Sequence, residues 1–446
     1  MALAEFLDKA ALAASHVLQG FDYTAFVKKL EATAVLVAFD ASAAKSAEGL
    51  TTLELLINLL ARLYPTIVLD PLRKSAHSAV PGLTSIAQGI NPRVDVRTRV
   101  RTSKADASVV VGHTSHTAAK HCAYVGSDGW VVRLSSKNAV GSAQSVNPFG
   151  AAAAACFGAA NVFRTVFAES LPATSGGDKE FAFSLVDYDP RAMRPANPEL
   201  GDVGLGEAHL VGLGAIGCAA AWCLARLKTV TGTLHLVDNE PLELGNLQRY
   251  VLPCRRDLDR PKVEIARDMF RDKSFQVLAH AQRWGEYLCE RRNWTIQTVG
   301  VALDTAQDRI AVQAALPRWI VNAWTQIGDL GVSRHNFLSP EACLACLYLP
   351  DRKIPDEDEL VAKAIGLPQS IMEVRVMGRP KRVKSFCVAT PTQKLRWTEP
   401  RAGPWGIVFE RGLCRGVPEA GDWAWADGRG SLRRAERREY GPRRRL

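Results

Sequence analysis

The sequence predicts an α/β protein built from two Rossmann-like halves, each a parallel sheet. Three observations carry this. Apolar runs of strand length alternate with helical stretches, and parallel strands need such crossovers. The alternation occurs twice, on either side of a Pro- and Gly-rich stretch at 187–207. The second series opens with Gly212-Leu213-Gly214-Ala215-Ile216-Gly217 between a strand and a helix, a turn that the first series lacks. A chain of 446 residues is also too long for one ordinary core. The expected organisation has a degenerate half at 1–195 and a second half at 205–350 that keeps the turn. A helical segment at 351–396 follows, for a partner or a reactive cysteine, and then a basic tail at 397–446 expected to be disordered.

In the first half VLVAFD (35–40), TIVLD (66–70), SVVVGH (108–113) and WVVRLS (130–135) have the length and composition of buried strands. Between them TTLELLINLLARLY has helical periodicity. Asn147, Pro148 and Phe149 open an Ala-rich helix whose small residues allow close packing on a sheet. The second half runs strand HLVGL, helix Ala215 to Leu227, strand TLHLVD, helix Pro261 to Arg271 and strand VGVALD (299–304). After Pro350 an acidic helix, PDEDELVAKAIG, leads into KRVKSFCVAT. From about Trp397 no period is visible.

Composition excludes several classes. With 47% hydrophobic and 23% charged residues the chain is expected to be globular. No run of 18 or more apolar residues occurs, so no membrane span is expected. The N-terminus has early acids and no continuous apolar stretch, unlike a signal peptide. The ten scattered cysteines then suggest reduced thiols and a cytoplasmic location. The net charge of +10 resembles a nucleic-acid footprint, but residues 396–446 hold twelve Arg against seven acids and supply half of it. A solvated basic tail explains that, and no nucleic-acid partner is expected.

The glycine turn brings backbone amides to phosphates at a helix N-terminus. With Asp238 at the end of the next strand to grip ribose hydroxyls, it suits a nicotinamide oxidoreductase as well as any other nucleotide enzyme. The continuation favours ATP. Asn246, Arg249 and Lys262 follow within one crossover, and Asp304 and Arg309 end the next strand. A triphosphate under attack needs such cations, and a carboxylate beside them can hold Mg²⁺.

On these residues the stretch from His209 to Pro350 resembles the ThiF/MoeB and ubiquitin-activating superfamily. VDNEPLELGNLQRY resembles its Asp and Asn-Leu-x-Arg block, DRPKVEIARDMF the helix bearing its Lys, and LDTAQDR its Asp-x-x-x-x-Arg. EACLACLYLP resembles the Cys-x-x-Cys segment that ends the adenylation domain. The resemblance implies a ThiF-type ATP-binding adenylation domain at 205–350 and a degenerate, inactive counterpart at 1–195. It assigns the nucleotide turn to Gly212, Gly214 and Gly217, and the ribose to Asp238. Asn246, Arg249 and Lys262 would contact phosphates, Asp304 would bind Mg²⁺, and Arg309 would brace the site. It implies adenylation of the C-terminal carboxylate of a ubiquitin-like protein in a bacterial-style conjugation or antiviral system, with a conjugating-type enzyme as a further partner. A sulfur-carrier protein, a peptide antibiotic or a modified tRNA base is the alternative substrate. A nicotinamide oxidoreductase and a non-catalytic scaffold are readings of other classes.

The chain departs from the pattern at Glu240, Tyr250 and Arg260, the last where a Gly or its equivalent precedes Pro-Lys, with a risk of crowding the turn. Cys343 and Cys346 form one Cys-x-x-Cys, half of a Zn²⁺ site that needs four ligands. Cys387, beside Lys381, Arg382 and Lys384, is a candidate thioester cysteine. His113, His116, His121 and Cys122 have ligand types at irregular spacing. The family completes its site with an Arg from the opposite half or subunit. The first Arg of this chain is Arg62, so Arg191 or Arg194 of a homodimeric partner is a possible source.

Overall fold

A computed structural model describes residues 3–98, 105–116, 121–172, 177–291, 293, 295–326, 329–348 and the strand at 407–410. The first sheet is made by β1 (Ala34–Phe39), β2 (Thr66–Pro71), β3 (Asp95–Thr98), β4 (Ala107–Val111), β5 (Cys122–Asp128), β6 (Val131–Ser135) and β7 (Glu180–Ser184), in the order β3-β2-β1-β4-β5-β6-β7. The second is made by β8 (Val203–Val211), β9 (Val230–Val237), β10 (Gln276–His280), β11 (Thr298–Val301), β12 (Trp319–Gln326), β13 (Asp329–Asn336) and β14 (Ile407–Glu410), in the order β10-β9-β8-β11-β12-β13-β14. The two orders are the same when each sheet is counted from its own first strand. In both, the first five strands pair in parallel and the sixth turns antiparallel.

The helices that position the site are α1 (Leu7–Ser15), α2 (Tyr23–Ala32), α3 (Ala41–Lys45), α4 (Ala47–Leu60), α5 (Val80–Ile90), α6 (Pro148–Val166), α7 (Ala215–Leu224), α8 (Lys262–Asp268), α9 (Trp284–Glu290) and α10 (Ala306–Ala314). Their starts are written locally. Ser46 Oγ accepts from Gly49 N at 3.0 Å to cap α4, Asn147 caps α6 ahead of Pro148, and Thr305 caps α10 through Asp308 N at 3.1 Å. The Ala-rich face of α6 packs on α4 and β5, where Gly158 lies against Val109, Leu56 and Val125 side chains. α6 is long and apolar enough to cross a membrane, yet it has the neighbours of a core helix.

The halves are not separate bodies. One continuous core joins Leu53, Leu56 and Ile57 of α4 to Trp222 of α7 and to Leu247, Tyr250 and Ile265 of the second half. Arg226 Nη2 reaches Glu54 Oε2 at 2.9 Å across the same seam. Cys387 and almost all of the 351–446 region lie outside the described residues. Within the expected tail, Ile407–Glu410 pairs in parallel with β13, as an apolar β-forming run beside a sheet edge does.

Candidate functional site

The glycine turn is dictated by contact. Gly212 has φ +88, and a Cβ there would stand 2.6 Å from Ala302 O. A Cβ on Gly217 would stand 1.9 Å from Gly212 O, so this third glycine serves strand-helix packing. Gly214 differs: a Cβ there would meet only the Tyr250 hydroxyl, at 3.6 Å, so its surface is open. Gly214 offers no side-chain cap to α7, which leaves the helix N-terminus available to an anion.

Asp238 holds this turn in shape. Its Oδ2 accepts from Leu213 N at 2.6 Å and its Oδ1 from Glu240 N at 2.8 Å. Burial raises its pKa, and the two amide donors and Lys262 work against that rise. Lys262, at the start of α8, is buried; its Nζ pairs with Glu240 Oε2 and lies 3.5 Å from the Tyr250 hydroxyl. Burial opposes the ammonium charge, but the Glu240 bond and nearby Asp238 prevail and hold its pKa above the usual lysine value. Arg249 is exposed, with its guanidinium 5.3 Å from the Tyr250 ring centre. Asp304 is exposed at the end of the β11 turn. Among the described residues neither the Arg249 side chain nor the Asp304 carboxylate has a hydrogen bond or ion pair.

Gly212, Gly214, Asp238, Arg249, Lys262 and Asp304 line one cleft of about 1310 Å³. Gly217 and Asn246 are not in its wall. Asn246 Oδ1 accepts from Glu243 N at 3.0 Å, closing the short helical turn that carries Arg249. Arg309 also lines the cleft but is almost wholly buried, and it donates to Asn322 Oδ1, Leu303 O and, at 3.0 Å, Ala323 O. It braces the loop that bears Asp304. Arg260 does not crowd the turn: it turns away to Asp257 at 2.7 Å and Asp268 at 2.6 Å. Sequence reasoning missed Gln282, Arg283, Trp284, Trp324 and Tyr348 in the wall. The first three follow the carboxyl end of β10, a position where open α/β sheets bind ligands, which is a usable signal.

The same end of the first sheet is filled. Phe39 pairs with Pro71 and Val111, as Val211 pairs with Val237 and Val301. Counting outward from these positions, Asp40 stands where Gly212 does, Leu72 where Asp238 does, and Thr114 where Asp304 does. Asp40 accepts from Ala43 N at 3.0 Å, His113 N at 2.7 Å and Thr114 Oγ1 at 3.0 Å. Burial opposes its charge, but these donors prevail and lower its pKa. The protein's own carboxylate thus takes the donors that would face a phosphate.

Arg62 does not enter the cleft; it is buried at the seam between the halves. Arg191 and Arg194 are exposed and also outside the cleft wall. The sulfurs of Cys343 and Cys346 lie 3.5 Å apart, and no third ligand group joins them among the described residues. His116 Nε2 instead pairs with Asp70 Oδ2 at 2.8 Å, and His113, His116, His121 and Cys122 form no ligand group among the described residues. Glu207, His209 and His235 do bring ligand atoms together, but Arg291 Nη1 sits among them, 2.8 Å from Glu207 Oε1 and 3.1 Å from His209 Nε2. That cluster is an ionic network centred on the Arg291 guanidinium, with His209 Nδ1 left buried and unpartnered.

Residues 205–353 match the ThiF family model, and residues 38–168 match the model described as Prokaryotic E2 family C. The chain is 46% identical over 378 residues to the uncharacterized protein y4jF of Sinorhizobium fredii, covering 84% of this chain and 72% of that one. It is 29% identical over 228 residues to the sulfur carrier protein ThiS adenylyltransferase of Escherichia coli, covering 48% of this chain and 84% of the other. A crystal structure of E. coli MccB with ATP aligns at 23% identity and a TM-score of 0.23, over 27% of this chain and 37% of that one.

Proposed function

From the premise that this chain belongs to the ThiF/MoeB/ubiquitin-activating superfamily, we propose that it spends ATP to adenylate the C-terminal carboxylate of a small carrier protein, ubiquitin-like or sulfur-carrier in kind. One observation carries this reading: Arg249, Lys262 and Asp304 converge with an uncapped helix N-terminus on a single cleft. A nicotinamide dinucleotide does not call for that set; a triphosphate does.

In this reading the phosphates lie against Gly214 and the start of α7, and Arg249 and Lys262 neutralise their charge. Asp304 would hold Mg²⁺, which its exposed carboxylate, engaged by no described side chain, suits. The metal ion would add positive charge on the departing pyrophosphate. A carboxylate oxygen of the carrier attacks the α-phosphorus, the bond to the β-phosphate bridging oxygen breaks, and pyrophosphate leaves with that electron pair. No protein nucleophile is needed; placement and charge neutralisation suffice. In the same reading the activated carrier passes to a conjugating-type enzyme, in a cytoplasmic conjugation or antiviral system.

The test is ATP–pyrophosphate exchange dependent on a small protein with a free C-terminal carboxylate. Absence of exchange with every such partner, or equal exchange with a carboxamide-ended partner, sinks the proposal.

The match of residues 38–168 favours a second reading, in which the first half receives the carrier on a cysteine. Its described thiols are Cys122 and Cys156. Burial raises the Cys122 pKa, the wrong direction for a thiolate nucleophile. A thiol-sensitive carrier adduct lost in Cys122→Ser or Cys156→Ser would favour this reading.

A further inference from the structure

We infer that Asn58 and Arg62 of the first half clamp the backbone on both sides of Arg249, so that the half with no open nucleotide site positions a cation in the cleft of the other half. The inference rests on the adenylation reading for what Arg249 does, and on geometry alone for the clamp.

Arg62 follows the C-terminal end of α4 and is 4% exposed. Its Nε and Nη2 both donate to Asn58 Oδ1, at 3.2 and 2.8 Å, and its Nη1 donates to Leu247 O. Asn58 Nδ2 in turn donates to Val251 O at 3.1 Å. The two carbonyls held are those two residues before and two residues after Arg249. The segment needs such support. It leaves a short helical turn at Gln248, and the amides of Arg249 and Tyr250 both turn back to Asn246 O, at 3.1 Å each. No sheet ladder holds residues 249–254.

The pair uses the chemistry of both side chains. The planar guanidinium supplies a fork for one amide oxygen and a third donor for a carbonyl, which an ammonium cannot match in one geometry. Asn58 is orientated by that fork and so presents its NH₂ to Val251. Leu247 and Tyr250, buried in the core shared with α4, fix the inner face of the segment. Arg249 is left as the exposed side chain, in the wall of the cleft and of the neighbouring hollow that Arg62 lines.

Arg62 and Asn58 are positioning residues here, and a simple gluing of the halves is the competing explanation. A double-mutant cycle separates the two. Arg62→Met is expected to lower kcat for exchange by about 10- to 100-fold with little change in KM for the carrier, because a small misplacement of a charge-bearing group has that effect. In an Arg249→Ala background the same substitution is expected to change the residual rate by less than about twofold. Affinity for a non-hydrolysable ATP analogue gives the same cycle without turnover. Equal losses in both backgrounds, or full activity in folded Arg62→Met, overturn the inference. Asn58→Leu serves as a second variant if Arg62→Met fails to fold. Amide hydrogen exchange across residues 244–252 reads the clamp independently of activity: Arg62→Met and Asn58→Leu must both lose protection there, and unchanged protection overturns it. If the wild-type protein shows no exchange with any carrier, the adenylation reading fails while hydrogen exchange still decides the clamp.

Discussion

The two halves share a strand order and differ at one end of the sheet. In the second half the first strand is followed by Gly212 and its neighbour by Asp238, and the loop after β11 carries Asp304. In the first half the equivalent places hold Asp40, Leu72 and Thr114, and Asp40 binds the amides of Ala43 and His113. The backbone donors persist in both halves. A carboxylate from the chain itself closes the site in one, whereas the cleft stays open in the other. One side chain thus fills the turn at a sheet end or leaves it open, at no change in topology.

The largest effect that would break this comparison is at its paired ends. Asp304→Ala is expected to lower carrier-dependent exchange by about 10³-fold or more, with little change in melting temperature because the side chain is exposed. Thr114→Ala, at the matching place, should leave exchange within about twofold. Similar losses at both sites would mean that the first half takes part in chemistry. Calorimetry with an ATP analogue should next give one site per chain, and Lys262→Ala should remove it. Two sites would undo the contrast, and tight NAD binding indifferent to Lys262→Ala would favour an oxidoreductase.

Removing the blocking group is a matter of stability. Asp40→Ala leaves the Ala43 amide, which is the α3 cap, and the part-buried His113 amide without their acceptor, and should cost about 1–3 kcal/mol in urea unfolding. Exchange per folded molecule should persist; a second nucleotide site appearing in Asp40→Gly would show that Leu72 and Thr114 are no barrier.

A smaller effect concerns pH. Burial, then the neighbouring His235 and Arg291, pull the His209 pKa down to about 4, and His235 and His280 are lowered too. Between about pH 6.5 and 4 the unfolded chain therefore binds protons that the folded chain refuses, and stability falls as pH falls. The slope from His209 is on the order of 1 kcal/mol per pH unit and levels off below its folded pKa. Urea midpoints measured across that window should show it, and His209→Phe should flatten it. The smallest effect is at Arg260, whose partly exposed pairs with Asp257 and Asp268 should make Arg260→Gly cost no more than about 1 kcal/mol, with KM for ATP unchanged.

Much of this was legible in the chain. Periodicity and the break at 187–207 foretold two α/β units because strands and helices announce themselves locally. The strands β3, β5, β7, β10, β12, β13 and β14 did not: β3, β7 and β10 are short and only partly buried, and β14 falls in a stretch without visible period. Among the site residues, the glycines, Asp238, Arg249, Lys262 and Asp304 were visible as an ordered set. Asn246 was legible as a residue and not as a contact: its amide serves the turn that carries Arg249.

By itself the sequence determined the glycine turn and the cations that follow it, because a strand, a tight turn and a helix are built from neighbours along the chain. Only the tertiary structure decided that Asp40 fills the matching turn, because its donors at His113 and Thr114 arrive from the loop after β4, 73 and 74 residues later. Only it showed that Arg62 holds backbone near Arg249, because burial and three donors matched to two acceptors are properties of the packed seam.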